Sequence, residues 1–429
     1  MAEREFQLFT GARIQKFKIP EGNLLYYAEH PAVEQDKTEE EIIRGGISNP
    51  IGGVSLDRIP RDAKVIIIVD DATRPTPAKR ILPYLLEQVE KRSRNITFIT
   101  APGTHRPMTE EELDRKIGKE WMEKYRLINT DAQREEDYRY IGETEEMKTP
   151  LYIHKAVLDA DYRIAVGNIG PHNVVGWSGG AKIIQPGVSG RITTEATHYA
   201  GSYEAVEEVF GNIECKARKE IDAIGGKVGL DYIANTVLDT EGKILGLFCG
   251  HYLKAHRAGV RFADRMLRPE IPRMADIVIV SAYPSCIDYW QGFKPVGFSL
   301  KGVRKGGIVI YLFDPPEGLC GNSPAHRPML EKYLLRDEQT VRKAVAEGEV
   351  RDIVGVTNPL CHYQVLQKVQ VFCVTNSLTE EECRLLRFKK FETVDTAVQT
   401  ALEIMGSDAA IGVIPCGGET LVRVKEGMQ

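Results

Sequence analysis

Long apolar runs are absent from this chain. No stretch of its 429 residues approaches the roughly 20 apolar residues that a membrane-spanning helix needs. The opening MAEREFQLFTG is charged and lacks the apolar core of a secretory signal. A dominant charge is absent too. The 56 Lys and Arg against 61 Asp and Glu leave a net charge of −5, so no general basic field recruits nucleic acid or an anionic membrane. The eight cysteines, at 215, 249, 286, 320, 361, 373, 383 and 416, form no CxxC pair. That spacing counts against a cysteine zinc site and against a disulfide framework. Together these absences lead us to expect a cytoplasmic protein. Two nucleotide signatures are also missing, GxGxxG and GxxxxGK[ST].

What is present is an alternation of apolar runs and helical patterns. Lys64 to Val69 reads KVIIIV, a β-branched run suited to a strand buried on both faces. It leads into DDATRPTP, where Thr76 is placed to cap the next helix, Pro77 to fill its first turn and Pro83 to kink its start. ITFITA (96–101) leads into PGTHRPMT, and Thr109 and Glu112 have capping-box spacing for a helix over EEELDRKIGKEWMEKY. YRIAVG (162–167) leads into NIGPHNVVGWSGGAK. In open α/β sheets ligands gather at the carboxyl ends of parallel strands, so these three loops are expected on one rim. Around 255–273 the sequence turns basic and helix-like and reads as a connector. A second strand series follows, in DIVIVSAYPS, GGIVIYLFDPPEG, DIVGVTN, VQVFCVTNS and AAIGVIPCGG. We expect an α/β protein of two domains, 1–272 and 273–429. Each has a parallel-type sheet flanked by helices, with the active site in the cleft between them.

The loops hold the candidate chemistry. His105 lies in Gly103-Thr104-His105-Arg106-Pro107 and His172 in Gly170-Pro171-His172-Asn173. Imidazole is well matched to proton transfer near neutral pH; each histidine can equally just close a turn. A reaction that inverts a stereocentre needs proton acceptors on both faces of a planar intermediate, and two histidines on one rim meet that need. Ser178-Gly179-Gly180-Ala181-Lys182 can cradle an anion, although alone it reads more simply as a tight turn with a solvated lysine. His198 in TTEATHYAG sits near a helix start capped by Thr193 or Thr194; as a metal ligand it lacks local partners, because no HxxxH or HxH is nearby. Asp70, Asp71 and Arg74 could meet magnesium, phosphate or a substrate carboxylate, or form a cap and a solvated ion pair. Tyr289-Trp290-Gln291-Gly292-Phe293-Lys294 suits closure over a small anion, or interdomain packing. His362-Tyr363-Gln364 is a weaker parallel, and Cys416 reads as a packed small residue.

Taken together, in order and spacing, these motifs resemble the lactate racemase family that uses the nickel-pincer nucleotide. The resemblance runs from about residue 10 to the C-terminus. It rests on the DxTRP-like loop with Asp71 and Arg74, on GTHR with His105, and on PHNVVGWSGGAK with His172 and Lys182. His198 and the WQGFK segment with Gln291 and Lys294 complete it. The resemblance implies a racemase or epimerase of 2-hydroxy acids. Its cofactor would be a nickel(II) pyridinium-3-thioamide-5-thiocarboxylic acid mononucleotide linked covalently to Lys182. His198 would complete the nickel coordination that the cofactor's sulfurs and carbon begin, a donor set that suits nickel(II). His105 and His172 would exchange the hydroxyl proton while the C2 hydride passes to the cofactor, through a bound 2-keto acid. Arg74 and Lys294 would hold substrate oxygens with Gln291 and Trp290 beside them. Asp71, Arg74, Ser178, Gly179 and Gly180 would position the cofactor. Partners would be a small 2-hydroxy acid and the proteins that make the cofactor, with no nucleic acid or membrane.

The chain departs from the family at two positions. Trp290 stands where those racemases carry a tyrosine before the glutamine, and Tyr363 where a tryptophan is expected in the later aromatic–Gln pair. Tryptophan cannot accept a hydrogen bond and fills more space than tyrosine. The expected substrate is therefore a 2-hydroxy acid other than lactate, larger or more polar. The rival readings are an NAD-using enzyme, against which the missing GxGxxG counts, and a non-catalytic nucleotide- or phosphate-binding protein, which has no need of both histidines with Lys182 and His198. Nothing in the sequence signals an oligomeric state.

Overall fold

The computed structural model describes residues 2–31, 33 and 35–425. Its framework is two six-stranded sheets. The first grows from the expected runs: Val65–Asp70 lies between Ile96–Ala101 and Tyr162–Asn168, parallel to both. Ile66, Ile67 and Ile68 are at most 2% exposed. Burying each such side chain stabilises by about 1.5–3 kcal/mol, so a run without polar alternation settles in the middle of a covered sheet. Tyr232–Leu238 continues the sheet in parallel, Ile244–Gly250 ends that side antiparallel, and Arg126–Ile128 ends the other. Strand order thus reverses between Val65–Asp70 and Tyr162–Asn168. The loops leaving these two strands diverge, which opens a crevice at their carboxyl ends.

The second sheet is parallel throughout, in the order Lys389–Phe391, Gln370–Val374, Val303–Leu312, Ala275–Ser281, Ile411–Ile414, Leu24–Tyr27. Its order reverses between Ala275–Ser281 and Ile411–Ile414. The edge strand Leu24–Tyr27 comes from the start of the chain. The hairpin of Glu3–Phe9 and Ile14–Pro20 joins the same core, with Phe6, Phe17 and Ile19 packed among Ile277, Ile310 and Val398. A unit of residues 1–272 would separate that hairpin from the surface it covers. We therefore place residues 2–28 with the second body.

Local differences from the sequence expectations have clear causes. The Thr109–Glu112 capping box forms, but the helix after it breaks at Gly118 (φ +100°) into Glu110–Lys116 and Lys119–Lys124. Thr76 does not cap: its hydroxyl donates to the Asp70 carboxylate, and the helix Ala78–Val89 begins after Pro77 and continues through Pro83. The supposed strand DIVGVTN is the start of a helix, Ile353–Leu366, capped by Asp352. It is buried almost all round, and a short apolar run of that kind has no period that separates helix from strand. The basic segment after 252 forms the helix Tyr252–Met266, which packs Val260 and Ala263 against Ile169 and Val237 of the first body. It is a layer of that body, not a free connector. Among the described residues no helix is long and apolar enough to cross a membrane.

Candidate active site

A cavity of about 110 Å³ lies between the two bodies. Three first-body loops and the helices Tyr289–Ser299 and Ile353–Leu366 wall it. Asp71, Arg74, His105, His172, Ser178, Gly179, Gly180, Lys182, His198, Trp290, Gln291 and Lys294 all line it. Residues spread over more than half the sequence thus share one space.

His105 is held from both sides. Its Nδ1 lies 2.8 Å from Asp71 Oδ2 and its Nε2 lies 2.9 Å from the Gln291 side-chain nitrogen. An amide nitrogen only donates, so His105 Nε2 accepts and the ring proton sits on Nδ1, given to Asp71. The Gln291 oxygen meanwhile accepts from Lys294 Nζ at 2.6 Å and from Arg74 at 3.4 Å. Burial pushes the His105 pKa down, partly countered by the Asp71 charge. Burial pushes the Asp71 carboxyl up, but His105, Arg74 and the Thr73 hydroxyl outweigh it and hold the group well below the usual carboxylate range. The result is a neutral imidazole whose Nε2 lone pair is held by the Gln291 amide at the cavity wall, with a carboxylate ready to stabilise its protonated form. Lys116 fixes this loop from beneath, donating to Asp70 at 3.0 Å and to the Arg74 carbonyl at 2.8 Å. Asp70 and Asp71 are therefore engaged by protein partners and do not form an open magnesium site.

His172 is the opposite tautomer. It sits in a short hairpin, Pro171–His172 against Gly176–Trp177, and its Nδ1 accepts from the Val174 amide at 3.1 Å. Burial, then Lys182, Lys294 and Arg74, push its pKa well below 6.5. As a neutral ring it carries its proton on Nε2. Cations dominate the surroundings. Lys294 is buried and pulled well below the ordinary lysine value, by burial first and then by Arg74 and Lys182. An incoming carboxylate would relieve that repulsion and raise the histidine pKa values.

The Ser178–Lys182 loop is not an open anion cradle. The Gly180 amide donates to Asn235 at 2.7 Å, and the Ser178 hydroxyl is taken by the Asn168 carbonyl at 2.8 Å and the Gly170 amide at 2.9 Å. Behind it, His256 donates to the Ser178 carbonyl at 2.8 Å and buried Arg218 to the Gly179 carbonyl at 3.1 Å. Gly179 and Gly180 have φ of +80° and +60°, and a Cβ on either would come within 2.9 Å of Asn235 or His256. The loop is a rigid wall that presents Lys182. Lys182 is half-buried, its amine is pulled well below 10.5 by desolvation and then Arg74, and it has no hydrogen-bond partner among the described residues. A lowered pKa makes the amine easier to deprotonate and so a better nucleophile than an ordinary lysine. His198 lies inside the helix Arg191–Gly201, which starts from Gly190 and not from Thr193 or Thr194. The Thr193 hydroxyl bonds the Pro150 carbonyl instead. His198 Nδ1 donates to the Thr194 carbonyl at 3.0 Å, leaving Nε2 as a lone-pair donor, and burial pushes its pKa down to about 4. This is the tautomer a metal needs. No cluster of three or more His, Cys, Asp or Glu could hold a metal among the described residues, so a metal bound here would need donors supplied by its own ligand. Lys182 and His198 fit that demand.

Tyr363 does not line the cavity. Thr357, Asn358 and Cys361 of the same helix do, so the expectation drawn from Tyr363 falls and Trp290 alone carries the departure. His362 is buried against Tyr289, and Gln364 accepts from the Val206 amide. Several site residues carried no motif. Asn235 stands beside Thr236 in an otherwise apolar strand, Asn168 ends the strand Tyr162–Asn168, and Thr357 and Asn358 lie in a segment that reads as a strand. Glu419 lies beyond Lys294 in an adjoining cavity of about 150 Å³, its carboxyl pushed up to about 7 by burial.

Known proteins share this fold. Residues 10–210 match the lactate racemase N-terminal domain and residues 271–422 the lactate racemase C-terminal domain. Lactate racemase of Thermoanaerobacterium thermosaccharolyticum is 29% identical over 395 residues, covering 90% of this chain and 91% of that protein. Lactate racemase of Lactiplantibacillus plantarum is 25% identical over 397 residues, with 90% and 91% covered. The structure of the T. thermosaccharolyticum lactate racemase apoprotein superposes with a TM-score of 0.86 at 26% identity, covering 98% of this chain and 100% of that one. A Thermotoga maritima protein shares the fold at a TM-score of 0.72 and 20% identity, over 92% of this chain and 100% of its own.

Proposed function

Since this chain belongs to the lactate racemase family and is an isomerase of the racemase type, we propose that it inverts the C2 centre of a 2-hydroxy acid, with a nickel-pincer nucleotide held by Lys182 and His198. The observation that carries this reading is the meeting of His105, His172, Lys182 and His198 in one cavity. Arg74 and Lys294 bind the substrate carboxylate, and Gln291 shifts its amide from His105 to the substrate as the hydroxyl arrives. His105 Nε2 takes the hydroxyl proton, and Asp71 orients the ring and stabilises the imidazolium, a role we assign it in place of direct cofactor contact. When bound, the nucleotide supplies the acceptor for the C2 hydride, so that a planar 2-keto acid remains. The chain's own task is to keep that acid within reach of both rings and away from water, which is an orientation effect. On the opposite side His172 gives a proton to the substrate oxygen; for that it must take one up from solvent on Nδ1 before the substrate binds, releasing the Val174 amide, and His105 keeps the first proton until the product leaves. Trp290, together with Thr357, Asn358 and Cys361, bounds the space for the substrate's remaining group, and we propose that this group is not the methyl of lactate.

Enantiopure 2-hydroxy acids of several classes, incubated with nucleotide-loaded protein and resolved by chiral chromatography, test the proposal. Racemisation is expected, with another acid turned over faster than lactate, and with loss of turnover in His105→Ala and His172→Ala at unchanged loading. Full turnover in either variant refutes the two-histidine mechanism, and fastest turnover on lactate refutes the substrate assignment.

A further inference from the structure

The GTHR loop meets the second body through three consecutive side chains. His105 contacts Gln291. Arg106 pairs with Glu317 at 3.1 Å, and its amide donates to the Asn322 carbonyl at 3.1 Å. Thr104 contacts His326, whose Nε2 lies 2.9 Å from the Thr104 hydroxyl. The His326 ring is 3% exposed; its Nδ1 lies 2.6 Å from Asp352, and its face stacks on Trp290 at 4.6 Å between ring centres and 28° between planes.

One imidazole therefore touches the residue before His105 and the residue before Gln291. We propose that His326 is a positioning residue: it clasps Thr104 and Trp290 together and so sets the His105–Gln291 pair across the cleft. Both ring nitrogens are spent on Asp352 and Thr104, so His326 transfers no proton itself. Asp352 also accepts the Gly355 amide at 3.0 Å as the cap of the helix Ile353–Leu366, which anchors the clasp in the wall that carries Thr357 and Cys361. The inference rests on His105 being the proton acceptor proposed above. A displacement of about 1 Å between reacting groups can cost about a hundredfold in rate, so a clasp at this point has leverage on turnover.

Two substitutions divide the ring's functions. In His326→Asn the amide reaches the place of Nδ1 and keeps Asp352; in His326→Gln it reaches the place of Nε2 and keeps Thr104. Thr104→Val removes only the hydroxyl and carries the test if His326→Asn fails to fold. Hydrogen exchange of residues 103–106 in the full-length protein without cofactor reads the clasp directly. Exchange about tenfold faster is expected in His326→Asn and Thr104→Val, with His326→Gln close to the parent protein. In loaded enzyme the same two variants are expected to lose about ten- to a hundredfold in kcat with KM little changed, and His326→Gln to recover most of it. Unchanged exchange in Thr104→Val overturns the clasp, and a loosened loop with unchanged kcat overturns the positioning role. If the loaded parent protein racemises nothing, the function proposed above fails, and the exchange data still decide the clasp.

Discussion

Asp71→Asn isolates the charge behind His105. The substitution keeps the shape of the side chain and the contact with Thr73, but removes the carboxylate that lies 2.8 Å from Nδ1. A hydrogen bond to a charged group contributes about 1.5–3 kcal/mol. That stabilisation matters most when His105 becomes an imidazolium, so its loss falls on the step that removes the hydroxyl proton and slows kcat by about 10- to 150-fold. The pH profile should move as well. His105 acts as an acceptor only when neutral, so turnover rises with pH through its pKa. Burial lowers that pKa and Asp71 raises it. Removing Asp71 must therefore shift the rising limb to lower pH while the plateau drops. The assay is the initial rate of racemisation by chiral chromatography across pH, at loading matched by intact mass. A plateau above half that of the parent protein, or a limb displaced to higher pH, would refute the reasoning.

Other expectations follow from the same geometry. His198→Ala is expected to bring nickel per chain close to zero with little change in thermal unfolding, because among the described residues the ring's one hydrogen bond is to its own helix at Thr194; retained nickel by elemental analysis would contradict it. Gln291→Glu replaces the amide donor facing His105 with an acceptor and sets a carboxylate beside Lys294, so we expect the His105 pKa to rise and substrate KM to increase by about tenfold or more as the carboxylate site is occupied from within. Histidine NMR titration and steady-state kinetics check the two halves, and an unchanged KM would count against Lys294 as a carboxylate ligand.

Much of the site was legible because its strands obey simple rules. KVIIIV, ITFITA and YRIAVG have no polar alternation, and each became a strand covered on both faces that delivers its loop to one rim. The capping box at Thr109 and Glu112 was equally plain, because it is local chemistry. What could not be read depends on contacts distant in sequence. Nothing in the alternating Glu3–Phe9 segment tells which of two apolar sheets it will cover. The segment 353–358 is apolar because it is enclosed by other helices, and enclosure erases the period that distinguishes helix from strand. The Ser178–Lys182 loop looked like a cradle for an anion, yet its amide and hydroxyl turn toward Asn235 and Asn168, which lie elsewhere in the sheet. His326 had no motif at all; its meaning lies in Thr104, Asp352 and Trp290, which converge on it from three parts of the chain.

The most direct test of the central claim is the fate of the C2 hydrogen. An enantiopure 2-hydroxy acid carrying ordinary hydrogen at C2 is incubated with nucleotide-loaded protein in deuterium oxide, and the inverted product is examined by chiral chromatography with mass and NMR detection. If the two histidines move only the hydroxyl proton while the C2 hydrogen leaves and returns as hydride, the inverted product keeps its original hydrogen at C2. Deuterium at C2 in proportion to inversion would mean that a side chain removes that hydrogen as a proton, and the account given for His105 and His172 would be wrong.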